Sequence, residues 1–520
     1  MACALIAGGA AIGPSTAVAA PPAPVDVYVN TTLDTVGTVG SDSTPNCDSP
    51  CSLRKAIQYA NGDPGASTVI HLPAGDYVLT RPQGDADLAD GGDLHVLGKT
   101  QIIGEGAANT IIEQSPNVAD RVLLVRAATR ITGVTIRNGK ANHDDGLGGG
   151  GIVVYGFGSL DMSLSVISHN QAPAFGQGSF DGYGGAVMAS PFGGRTVVLH
   201  DVTISENTAA IAGGGIAVVG GSLTVYNSTI AANTCTGKGT CQGGGAYASS
   251  PLNLTNDTLD GNLADEGGGL YSLGAGAVVT NVTFSSNSLN GRAPLARPVA
   301  TTSHTALPSK GAAVFGYGFN GAGAMTLQNT LINGDPADEC GQGSDGAVVP
   351  LPVTSLGSNI DDGISCPLTE TGDQRLTSAE LGPLLDNGGS TKTRALPASS
   401  KAVDAVKGFC PPPAADQRKV ARANAAARTG TACDIGAYEY AAPAPAVTPA
   451  PTPTTVVQDV IIFVPYTPTL PRAGIAPAAA RFPALGLLSL VGLALTLAPA
   501  AWLTYHMALP DMRGVKSGRQ

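Results

Sequence analysis

Helical periodicity is almost absent from this chain. Only "CSLRKAIQYAN", Cys51 to Asn61, spaces its apolar residues like a soluble amphipathic helix, with Leu53, Ala56, Ile57 and Ala60 on one face behind Ser52 as a cap. Aromatics are 5% of 520 residues, with one Trp, and charged residues are 13%. Basic residues are scarcer than acidic ones, 28 against 39, giving a formal net charge of −11. That balance excludes a phosphate-binding footprint, so no nucleic acid partner is expected, and it disfavours anionic lipid surfaces. No CxxC, P-loop, dinucleotide-binding or Ser-His-Asp pattern is present.

What is present in quantity is glycine, 70 residues of it, in a repeating context. Five stretches, Gly148 to Ala172, Tyr183 to Ala209, Gly213 to Thr234, Gly243 to Ala264 and Gly267 to Leu289, share one plan. Each has a glycine cluster, a short β-rich run, a turn, a second run of the form L-x-V-x-x-x-T-I, and then Asn. A looser sixth copy spans Gly311 to Asp335. Runs this short, rich in Val, Ile, Thr and Leu with period-two alternation, are strands. One copy cannot bury its apolar face alone, whereas copies stacked at about 4.8 Å pair strand on strand around a continuous core. The expected fold is all-β, a right-handed parallel β-helix over 66–335, reached through an N-terminal strand and capping helix over 20–65. The recurring Asn170, Asn207, Asn233, Asn262 and Asn287 are expected in left-handed turn positions, hydrogen-bonding along the stack as a structural ladder.

Eight of the nine cysteines fall into close pairs. In a solenoid, distance in sequence becomes distance along the axis, so the expected disulfides are Cys47–Cys51, Cys235–Cys241, Cys340–Cys366 and Cys410–Cys433. They imply an oxidising compartment. Residues 1–19 read as a signal peptide ending at Ala17-Val18-Ala19; its basic n-region is missing, which puts the expected true start upstream. At the other end, the Pro-rich segment 441–469 reads as an extended stalk. The segment Phe482 to Met507 is uncharged and long enough to span a bilayer, with Arg513, Lys516 and Arg519 beyond it.

Several stretches carry a resemblance. "CSLRKAIQYAN" resembles the CSLREA motif that opens bacterial surface β-helix proteins, with Lys55 in the place of Glu. The segment 336–440, an irregular β region, resembles the choice-of-anchor Q region of such proteins in "SLGSNI" (Ser355 to Ile360), "LGPLLDNGGST" (Leu381 to Thr391), "DQR" (Asp416 to Arg418) and "CDIGAYEY" (Cys433 to Tyr440). "LPRAG", with Leu470, Pro471 and Gly474, resembles a Gram-positive sortase sorting signal in which Ala473 replaces Thr. The segment 470–520 then combines this motif, a transmembrane helix and a basic tail. The resemblance implies a pectin-lyase-like β-helix outside the cell, tethered by its C-terminus to the bacterial membrane or wall, and no defined activity.

Chemistry is the open point. Between Ala141 and Asn290 the only basic residues are Arg195 and Lys238, too few to neutralise a uronate substrate. The expectation is therefore a surface protein of structural, adhesive or glycan-binding type, without catalysis, cofactor or resident metal. Its partners are the cell envelope, through the anchor, and an extracellular glycan or surface partner. The alternative is a cell-surface polysaccharide lyase or glycoside hydrolase using Asp144, Asp145, Asp265 and Glu266, with Ca²⁺ as the cofactor those loop carboxylates leave open.

Overall fold

The computed structural model describes residues 23–441, except 37–46, 48–49, 63–64, 84–89, 143–144, 177, 238, 275, 292–309, 319–324, 335–337, 345–351, 407–409 and 423–431. The expected signal peptide, stalk, LPRAG motif and membrane segment lie outside the described residues. Among those described, no helix is long and apolar enough to cross a membrane.

The strands stack in parallel into a β-helix of three sheets, of nineteen, nine and five strands. Each central coil takes one strand from the nine-stranded sheet and then two strand segments of the nineteen-stranded sheet, separated by a bend. It closes through a two-residue strand and a glycine cluster. In two coils the bend lies inside one continuous strand, Ser159–Ser168 and Thr196–Ser205, and Leu164 and Asp201 make the turn with φ of 49° and 55°. The equivalent residues in later coils are Asn227, Asn256, Asn281 and Asn329, all at positive φ. Asn tolerates that geometry best among residues carrying a side chain. The parallel ladder reaches beyond 66–335 at both ends. Strand β1 (Val25–Tyr28) pairs with Ser67–Leu72, and Val353–Ser355 pairs with Met325–Gln328. Short outlying segments still find a partner because the neighbouring coil supplies a finished edge.

Strict register produces aliphatic columns. One runs Ile70, Ile102, Ile131, Met162, Leu199, Val225, Leu254, Val279, Leu327, with every member buried. Beyond the bend, Ile136, Ile167, Ile204, Ile230, Leu259, Phe284 and Ile332 form the second. The columns end in polar residues: Ser355 follows Leu327, and Asp361 follows Ile332. The glycine clusters let coils close tightly. A Cβ on Gly244 would lie 2.4 Å from the Gly268 carbonyl oxygen of the next coil.

The asparagine row lies inside the body. Each Asn side-chain oxygen accepts both the backbone N–H and the Nδ2–H of the Asn one coil before it, from Asn170 through Asn207, Asn233 and Asn262 to Asn287, at 2.9–3.1 Å. Each Nδ2 also donates to a carbonyl in the preceding coil, such as Asn233 to Ile204. The expected left-handed geometry is corrected by one residue: positive φ falls on His169, Glu206, Ala232, Gly261 and Ser286, immediately before each Asn. The turn happens first, and it swings the following amide inward, where the next amide and a backbone carbonyl satisfy it.

Four disulfides, Cys47–Cys51, Cys235–Cys241, Cys340–Cys366 and Cys410–Cys433, tie near neighbours together. Helix α1 (Leu53–Gly62) packs on the first coils and is fixed at both ends. Ser52 Oγ accepts from Lys55 N and donates to the Thr35 carbonyl. Asn61 accepts from Leu97 N and Gly98 N and donates to the His95 carbonyl.

Residues after Asp361 fold back along the outside of the bend. Gln417 accepts from Thr258 Oγ1 and donates to Thr229 Oγ1, while Ala437 N donates to Thr283 Oγ1. Thr229, Thr258 and Thr283 are in-register outward positions of successive coils. Asn256, Asn281 and Asn329 donate to the carbonyls of Ala415, Pro412 and Asp434. The segment thus docks on two columns of the β-helix.

Candidate functional site

Asp145 does not stand free in a turn. Its carboxylate receives both terminal nitrogens of Arg121, at 2.6 and 2.8 Å, and the Leu147 N–H. Burial pushes its pKa up, but Arg121 more than offsets this and leaves it lowered. Arg121 is buried and stands among three carboxylates. His95 Nε2 lies 2.6 Å from Asp93 Oδ1, Asp93 Oδ2 lies 3.8 Å from Arg121 Nε, and Asp120 accepts the backbone N–H groups of Arg121 and Asp93. Burial, reinforced by Asp93, pushes the Asp120 carboxyl up to about 7. The cluster sits where the first strand of the nine-stranded sheet (Leu94–Val96) meets α1, for Arg54 donates to the carbonyls of Gly92 and Asp93. It is a polar plug under the N-terminal cap. None of Asp93, His95, Asp120 or Arg121 was nominated by sequence, because these residues begin atypical coils and follow no repeat.

Asp265 and Glu266 sit four coils further along, roughly 19 Å from Asp145 at about 4.8 Å per strand. The Asp265 carboxylate accepts Cys241 N–H and Asn290 Nδ2–H, and Glu266 faces Gln242 Nε2 at 3.4 Å. They hold coil corners, one of them beside the Cys235–Cys241 disulfide. The structure therefore does not gather Asp145, Asp265 and Glu266 into one site; Asp144 lies outside the described residues. Among the described residues no group of three or more His, Cys, Asp or Glu side chains could hold a metal ion.

A different constellation lies on the outer face of the nineteen-stranded sheet, before the bend. Arg130, Asp161, Val198 and Thr224 occupy one in-register column, and Thr132, Ser163, His200 and Tyr226 the next. Arg130 pairs with Asp161 at 2.9 Å. His200 has Asp201 at 3.1 Å from Nδ1 and Asp161 at 3.5 Å from Nε2, and its ring stacks on Tyr226 at 4.9 Å, 2° from parallel. Lys419, from the folded-back segment, reaches Asp201 at 3.0 Å. Burial, with Asp161 and Asp201, raises the Tyr226 pKa. Asp161 is about one-third and His200 about one-quarter exposed, at 36% and 26% of their side chains, and Arg130 is more open. The only sequence signal is polar and aromatic residues at outward positions of aligned strands, visible once register is known. The other aromatics divide. Tyr247, Tyr271 and Phe315 stack along the nine-stranded sheet and are buried, whereas Phe157 is 70% exposed.

No family model and no curated protein matches this chain. Among solved structures, the crystal structure of pectate lyase Pel9A is similar at 13% sequence identity with a TM-score of 0.40, over 80% of this chain and 97% of that one. The chain is a parallel β-helix in its own strand pairing.

Proposed function

We propose that this protein is an exported, surface-tethered β-helix of structural or adhesive type that binds extracellular glycan without cleaving it. One observation carries the reading: two of the loop carboxylates that could have served catalysis are taken up by donors of the fold itself, Asp145 by Arg121 and Asp265 by Cys241 and Asn290. Lyases and hydrolases of this architecture need such groups convergent and free to act on substrate. Support for the location comes from the disulfides, which suit an oxidising compartment, and from the resemblance of the CSLR stretch and the segment 336–440 to bacterial surface proteins. The residues carrying that resemblance have physical work in the fold: Arg54 ties α1 down, Gln417 reads the threonine column, and Glu439 holds Arg422.

The test incubates the full chain with pectate, alginate and neutral glucans, with and without Ca²⁺. Retention on one of these polymers with no soluble product is expected. Product release that disappears in Asp265→Ala would overturn the reading and establish an enzyme.

A further inference from the structure

We propose that the outer face built by Arg130, Asp161, Ser163, His200 and Tyr226 is a binding site for a neutral saccharide; this rests on the glycan-binding reading above and names its place and ligand class. Three features of the face point there together. The first is an open ring face. His200 stacks on Tyr226 through one side, and the in-register residue on its other side is Ser163. A serine covers little of an imidazole, and His200 keeps 26% of its side chain exposed, which leaves ring surface for the C–H side of a pyranose.

The second is the floor. Ser163 Oγ donates to Thr132 Oγ1 at 3.1 Å, so two hydroxyls from adjacent coils lie between the rings and the first strands. The third is the rim. Arg130 and Asp161 set a planar donor array beside a planar acceptor array, the arrangement that answers the alternating donors and acceptors of a vicinal diol.

Charge selects the class. Arg130 is matched by Asp161, and Asp201 by Lys419. A uronate would meet Asp161 and Asp201 and a net charge of −11, and a simple cation would meet Arg130 and Lys419. A neutral polyol meets neither penalty. The folded-back segment borders this face, through Lys419 at Asp201 and through Thr391 and Gln417 at Asn227 and Thr229 on the coil of Tyr226, and leaves Arg130, Asp161 and His200 partly exposed among the described residues.

The experiment is calorimetric titration of the full chain with cellohexaose, laminarihexaose, mannohexaose, xylohexaose and hexagalacturonate. At least one neutral hexasaccharide is expected to bind, and hexagalacturonate to bind at least tenfold more weakly. Asp161→Ala and His200→Ala should each weaken binding tenfold or more with the melting temperature held, His200→Phe should keep most of it, and Val278→Ala, on the same sheet, should change nothing. Neutral binding that survives both Asp161→Ala and His200→Ala overturns this site and leaves the glycan-binding reading standing. Tighter binding of hexagalacturonate, or no binding of any neutral sugar, overturns the ligand class. Cleavage of any of them is a separate result that strikes the non-catalytic reading alone.

Discussion

Arg54 and Asp34 meet in a fully buried ion pair, Nε to Oδ1 at 2.6 Å, with 0% and 1% of their side chains exposed. Asp34 also accepts Thr80 N and Arg81 N, and Arg54 bonds the carbonyls of Gly92 and Asp93. One salt bridge therefore joins the first strand's loop, the capping helix and the edge of the first coils. Removing one partner of such a pair leaves a charge in low dielectric and costs about 3–5 kcal/mol. Arg54→Met should lose that much in urea denaturation. Combining it with Asp34→Asn should cost much less than the sum of the single changes, since the orphaned charge is gone.

The asparagine ladder makes a second prediction. Asn233→Ala strips acceptors from Asn207 and a donor from Ile204, all buried. At about 1–3 kcal/mol per unsatisfied group, the change should lower the unfolding free energy by at least ~3 kcal/mol. Its neighbour Ala232 holds φ at 54°. Ala232→Gly should be neutral or stabilise by up to about 1 kcal/mol, as relief of the left-handed penalty offsets the added unfolded-state freedom. Equal losses at both positions would show that the amide row does not set the stability there.

Stability should fall as pH rises from the acidic range toward neutrality. Burial lifts the Asp120 carboxyl to about 7 and Asp361 to about 6, from an ordinary value of 3.8, and raises Asp257 well above it. The fold thus favours their protonated forms. The stability they contribute is complete below about pH 4 and is lost as pH climbs through about 6 and about 7. Asp145 works the other way: its lowered pKa contributes stability above the usual carboxylate range, lost on strong acidification. Melting temperature should therefore peak on the acidic side and decline between about pH 5 and 8. Asp361→Asn should flatten the slope through pH 6 whatever it does to absolute stability. A melting temperature that rises steadily from pH 5 to 8 contradicts this.

Gln417 is the pin of the folded-back segment. It is buried, with bonds to Thr229, Thr258, Thr391 and the Lys392 carbonyl. Gln417→Ala takes the acceptor from Thr258 Oγ1, while Thr229 and Thr391 keep the Lys392 and Asn227 carbonyls, so a cost of about 1–3 kcal/mol is expected. The segment around residues 379–440 should then exchange its amides faster by tenfold or more, while the amides of residues 196–231 stay protected. Uniform acceleration across both would mean the segment and the β-helix unfold as one unit.

Which of these features could be read in the sequence depends on how far apart the partners lie. The Asn row was visible because its members recur once per coil, at separations of 37, 26, 29 and 25 residues, each after the same strand. The near-neighbour cysteine pairs were visible for a related reason, since an elongated stack keeps distant residues apart. The left-handed turn was placed one residue late, because pattern locates a turn but not which of two adjacent residues takes the positive φ.

The stacked β architecture, its glycine corners, its amide row and the capping helix are legible in the chain's local pattern. All of these follow from periodicity, and periodicity is a local, repeated signal. Tertiary structure alone decided that Asp145 belongs to Arg121, that Asp34 belongs to Arg54, and that Gln417 lies on Thr229, 188 residues away. It also decided that Arg130, Asp161, His200 and Tyr226 share a face. Such pairings occur once and cross coils at sequence distances that no repeat fixes. Their energy comes from desolvated charge and matched hydrogen bonds, which exist only after register has brought the groups together.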